Sequence, residues 1–113
     1  MGRSWKIGAV EIHQVVEIVA PTPLNMLFPD ATRERLEPLS DWLQPYFLDD
    51  QGNMILSIHA FAIRSGDARI IVDTCLGNDK ERRLPTLHRL ATPFLARLEA
   101  AGARPEDVDV LLC

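Results

Sequence analysis

Cysteine is scarce in this sequence: Cys75 and Cys113 are the only two in 113 residues. That excludes a disulfide framework and any Cys-x-x-Cys pair for metal or redox work, so the expectation is two reduced thiols. Histidine is scarce too. His13, His59 and His88 fall in three different segments, and none has the short spacing that sets two imidazoles on one face around a metal. A basic excess is also missing, because the formal net charge is −4. Lys80-Glu81-Arg82-Arg83 is diluted by its own acids and reads as a solvated loop, so nucleic acid is not an expected partner. No apolar run approaches the roughly 20 residues of a membrane span, and residues 1–6 lead into no signal-type core. Lys6 stands where a myristoylation signal after Gly2 requires Ser or Thr. A cytoplasmic protein that binds no membrane is expected.

What is present is globular. Hydrophobic residues make up 47% and charged residues 25%, a balance that supports a packed core. The length suits one domain, over which folding would bury roughly 60% of the extended chain's surface.

Along the chain, Val10, Ile12, Val16 and Ile18 alternate with Glu11, His13 and Glu17, the period of a strand with its acids and histidine facing water. From residue 20 to 52, Pro21, Pro23, Pro29, Pro38 and Pro45 break the pattern. Thr32 or Asp30 is placed to cap a short helix over 33–37, and Ser40 a single turn over 41–43. Phe28, Trp42, Tyr46 and Phe47 make this excursion aromatic, and connections of such length often cover a site. Phe28, Trp42 and Phe47 are therefore candidate lid residues over a substrate; packing against the domain is the plainer alternative. Residues 53–65 read as a strand apolar on both faces and so covered on both sides. Ser65-Gly66-Asp67 turns it into an antiparallel partner over 68–74.

Leu87, Leu90, Phe94, Leu98 and Ala101 then recur at helical spacing, with Thr92-Pro93 as a cap and first position and Gly102 as the stop. Residues 108–112 form a short apolar strand. Strand, helix and strand make a βαβ unit with parallel strands. Both strands then end at one sheet edge, where ligand sites in such sheets gather, so Asp73-Thr74-Cys75 and Cys113 are expected on one side. Cys75 at that edge has no assignable histidine base, and a structural thiol is the expectation over a nucleophile. Gly77-Asn78-Asp79 lacks the spacing and lysine of a phosphate loop.

Ile70-Ile71-Val72-Asp73-Thr74, with Leu76-Gly77-Asn78-Asp79 behind it and Val108-Asp109-Val110-Leu111-Leu112-Cys113 at the right remove, resembles the first half of a metallo-β-lactamase-fold hydrolase. The proline-rich excursion resembles that family's lactonase-like branch. The resemblance implies an α/β fold: the amino-terminal half of an αββα sandwich, a mixed sheet with a hairpin and one βαβ crossover. It implies a partial domain over 1–113 that stops before the family's Thr-His-x-His-x-Asp-His motif. In the full-length form it implies two zinc ions and a small ester, lactone or amide substrate. For this chain it implies no metal ligand, no catalytic residue and no bound cofactor. Asp73 alone carries over, as a brace for the metal-ligand loops, with a local turn cap as its structural alternative. The other class of function to weigh is a non-catalytic module that self-associates or binds a partner through an uncovered sheet face.

Overall fold

A two-residue turn at Gly8-Ala9 begins the fold, with Gly8 at φ +61°, a left-handed conformation suited to its missing Cβ. It joins strand β1 (Ser4–Ile7) to β2 (Val10–Thr22) in antiparallel register, Ile7 opposite Val10 and Trp5 opposite Ile12. The computed structural model describes residues 2–113. They pack as two units, Val19–Ser57 and the remainder of the chain, and β2 and β3 contribute residues to both.

The larger unit holds a five-stranded mixed sheet in the order β1-β2-β3-β4-β5. β3 (Met54–Ser65) and β4 (Ala68–Val72) form the expected hairpin, with Ser65 opposite Ala68 and Gly66 at φ +58° in the turn. β5 (Val110–Leu112) lies parallel to β4, Ile70 opposite Val110 and Val72 opposite Leu112. Asp109 fixes that register: its N–H donates to the Arg69 carbonyl at 2.9 Å and its carboxylate accepts from the Arg69 N–H at 2.8 Å.

The core gathers Val15, Ala60, Ala62 and Ile71 from the sheet with Phe94, Leu98 and Ala103 from the helical crossover. Phe94 and Leu98 are four apart, so one stripe of a single short helix covers this face. Small Ala60 and Ala62 let it approach closely. Phe61 and Ile63, on the opposite face by alternation, are only half-buried. Trp5 packs beside Phe61 at 6.2 Å between rings, yet remains 42% exposed. The doubly covered strand implied by the apolar run is thus corrected within this unit, because the helix covers one face.

The crossover helix is also shorter than its spacing suggests. α4 spans Phe94–Ala100, and Leu87 belongs to a 3₁₀ turn, Pro85–Leu87. Pro93 has no N–H to continue a helix backwards, and Arg89 at φ 46° breaks the segment before it. Thr92 does not cap the helix; its N–H and hydroxyl instead face the Asn78 carboxamide oxygen, at 2.9 and 3.3 Å. Gly102, at φ +83°, does terminate it, with its N–H on the Glu99 carbonyl and the Ala103 N–H on that of Leu98.

The smaller unit is a run of single turns, as its prolines dictate: α1 (Leu24–Leu27), α2 (Arg33–Leu36), a 3₁₀ turn (Glu37–Leu39) and α3 (Ser40–Leu43). Thr32 caps α2 as expected, its hydroxyl accepting from the Arg35 N–H at 3.4 Å. Ser40 caps nothing: it lies inside α3 and donates its hydroxyl proton to the Glu37 carbonyl at 2.8 Å. A loop pinned by Asp49 closes the unit. Its carboxylate accepts from the N–H groups of Gln51 and Asn53 and from the Asn53 side chain, at 2.8 to 3.0 Å.

Candidate functional site

The parallel pair delivers the carboxyl ends of β4 and β5 to one edge. Asp73 donates its N–H to the Leu112 carbonyl at 2.7 Å, which sets Asp73 beside the end of β5 as the βαβ topology requires. The loop that follows is held by an unusual set of conformations and contacts. Asp73, Cys75 and Asp79 all have left-handed backbones, with φ of 72°, 60° and 57°, and Gly77 has φ +79°. Non-glycine residues in that region cost free energy and persist only where their surroundings fix them.

Four contacts do so. The Asp73 carboxylate accepts from the Cys75 N–H at 2.7 Å, closing a local turn. Asn78 and Thr92 exchange two hydrogen bonds, carboxamide to backbone, at 2.8 and 2.9 Å. Arg82 donates to the Leu76 carbonyl at 2.8 Å. The fourth contact comes from a residue expected to face water. Glu17 is only 2% exposed, and its two oxygens accept from the N–H groups of Leu76 and Gly77, each at 2.8 Å.

The burial of Glu17 corrects the face assignment of β2, where Val15 and Glu17 point to the core and Val16 and Ile18 are half-buried. The strand is apolar on both faces through residues 15–20, so alternation alone carries no direction there. A lone acid inside such a run was the available signal, since a buried carboxylate must have donors. Arg97 of α4 was missed as well. Its guanidinium donates to the carbonyls of Val16 and Glu17 at 2.9 and 3.2 Å, tying the helix to the strand that carries the acid.

Burial pushes the Cys75 thiol up to about 12, with the negative charges of Glu17 and Asp73 adding to it. At neutral pH the thiol holds its proton and the reactive thiolate is scarce. His59 stacks edge-on against Phe61 at 5.1 Å, and His88 Nδ1 lies 3.2 Å from the Arg82 N–H nitrogen, closing the 82–88 loop.

Among the described residues no three His, Cys, Asp or Glu side chains converge as metal ligands. Asp73 and Glu17 both spend oxygens on backbone N–H groups, and no described histidine joins them and Cys75 in a ligand cluster. These residues do not fit a zinc site, which needs three or four deprotonated ligands.

The three candidate lid residues lie in the smaller unit, and the structure brings them together. Phe28, Trp42 and Phe47 line one apolar cavity of about 730 Å³, completed by Leu36, Leu43 and Ile55. Trp42 and Phe47 meet edge to face at 6.0 Å. All three stay more than half exposed, so they do not serve as this unit's core; Ala20, Leu48 and Met54 are the buried apolar residues there.

No family model matches the sequence, and no curated protein matches it. Solved structures do. The crystal structure of the hydrolase AbOPH, of the beta lactamase superfamily, superposes with a TM-score of 0.67 at 24% identity, over 97% of this chain and 34% of its own. A probable metal-dependent hydrolase from Staphylococcus aureus gives 0.67 at 21% identity, over 95% of this chain and 38% of its own. The chain has the amino-terminal part of the metallo-β-lactamase fold. It spans little more than a third of the length of either solved structure.

Proposed function

We propose that this chain is the amino-terminal part of a metal-dependent hydrolase acting on a small ester, lactone or amide. The supporting observation is the β4-loop-α4-β5 arrangement, with Asp73 at the shared carboxyl edge, in a chain that superposes almost wholly on two hydrolases of this fold. Metal ions, two zincs in this reading, would supply an activated water, and side chains outside the described set would have to hold them. Asp73 acts as a brace at the strand end, and Phe28, Trp42 and Phe47 cover the substrate. The complete form takes a small-molecule substrate in the cytoplasm and binds neither nucleic acid nor membrane.

The chain alone is then inactive. With zinc added, it should hydrolyse esters and lactones at the background rate, and metal-dependent turnover by these 113 residues would sink this reading.

One observation favours a second reading, a self-associating module. Apolar residues of the outer strands are exposed, Ile7 at 66% and Leu112 at 51%, and exposed sheet edges and faces invite pairing. A defined dimer by light scattering supports the module. Polydisperse aggregates support the hydrolase part.

A further inference from the structure

Glu17 is a buried acid to which the proposed chemistry gives no task. Buried carboxylates are costly unless every oxygen is matched by a donor, and this one is matched by backbone alone. Consecutive N–H groups of Leu76 and Gly77 converge on it from a loop whose backbone turns left-handed at Cys75 and again at Gly77. Successive N–H groups presented in this way form an anion-binding concavity. Here the anion belongs to the protein, arriving from β2, some sixty residues away in sequence.

We propose that Glu17 is the positioning residue of the sheet-edge loop: its carboxylate fills the cradle at Leu76-Gly77 and thereby fixes the Asp73 turn at the end of β4. The inference rests on reading that edge as part of the site. The connection is short. Cys75 gives its N–H to the Asp73 carboxylate at 2.7 Å, and the next two N–H groups go to Glu17. One peptide segment therefore carries both contacts, and its left-handed residues relax toward ordinary backbone if the anion is withdrawn. Arg97 supports the arrangement from the other side by holding the carbonyls of Val16 and Glu17 on α4. The cations near the loop, Arg82 and Lys80, cannot take its place, because they only donate and the two N–H groups need an acceptor; Arg82 donates instead to the Leu76 carbonyl.

The test uses this chain, labelled for NMR, as wild type, Glu17→Gln and Glu17→Ala. In Glu17→Ala the amides of Leu76 and Gly77 should exchange about tenfold to hundredfold faster, the range that charge-assisted hydrogen bonds span, while β3 and β4 amides keep their protection. The Asp73 carboxyl carbon should shift at the same time. Sodium acetate, which replaces the atoms removed, should restore both signals, whereas sodium chloride at equal ionic strength should not. Glu17→Gln, with one oxygen, should keep about one of the two amides protected and covers the case in which the alanine variant fails to fold.

Unchanged exchange at Leu76 and Gly77 in both variants overturns the proposal. So does freeing of those amides with no movement of the Asp73 signal, because Glu17 would then hold the loop without positioning the acid. None of these readouts needs a metal, so their failure is separate from failure of the hydrolase reading, which zinc-dependent turnover tests.

Discussion

The protonation of the Cys75 thiol sets how fast it reacts. Burial, with the charges of Glu17 and Asp73, takes its pKa from 9.0 to about 12. At pH 8 the reactive thiolate fraction falls from about 10⁻¹ to about 10⁻⁴, a thousandfold loss. A more basic thiolate is a better nucleophile, and a Brønsted slope of about 0.45 over three units returns about twentyfold. Cys75 should therefore exchange with a small aromatic disulfide about 50-fold more slowly in the native chain than in the same chain unfolded in urea, and slower still if access is hindered. The Cys113→Ser variant leaves Cys75 as the sole thiol, so absorbance of the released aromatic thiol reports one site. Glu17→Gln removes one of the two charges and should speed the native reaction, but only in part, because burial is the larger cause. The same shift sets a sign for stability. A pKa raised in the folded state stabilises the fold fully below 9.0, and that contribution disappears as pH rises through about 12. A native rate within twofold or threefold of the unfolded rate would refute both the burial and the charge argument.

Other consequences can be tested with simpler measurements. Leu98, 5% exposed in the core, should cost about 2–5 kcal/mol when replaced by alanine; urea unfolding measures this, and a loss below about 1 kcal/mol would mean that α4 does not pack as described. The Asp49 carboxyl is held below its ordinary 3.8, first by the Asn53 side chain and then by backbone N–H groups. Its contribution to the 49–53 loop is present above 3.8 and lost as pH falls through the lower folded value. Amide exchange at Asn53 across that acid range should show the loss, and Asp49→Ala should abolish the dependence.

Much of this fold was legible because its signals were local. Gly66-Asp67 between two apolar runs fixed the hairpin, and Gly102 followed by Val108 to Leu112 fixed the crossover and its parallel return. Thr32 announced its cap. What was not legible depended on partners distant in sequence. Glu17 read as a surface acid because alternation gives a period and no direction, and the direction is set by Phe94 and Leu98 packing on the Val15 face. β1 was missed because Ser4-Trp5-Lys6-Ile7 is too short to show a period, and its turn, Gly8-Ala9, is a weak hairpin signal. The helix over-ran its true start because Leu87 and Leu90 keep helical spacing, while the bonds between Asn78 and Thr92 hold that stretch as loop. For the site, the sequence placed Asp73 and Cys75 at the sheet edge and Phe28, Trp42 and Phe47 in one segment, but neither the cradle that Glu17 fills nor the shared aromatic cavity follows from spacing.

Whether the chain runs on into the metal-binding half of a hydrolase, as proposed, can be read from the coding DNA past the codon for Cys113. An in-frame continuation into Thr-His-x-His-x-Asp-His within a few codons is the expected result. A stop codon directly after Cys113 would contradict it, and would leave a module whose sheet edge carries Asp73 and Glu17 without ligands to brace.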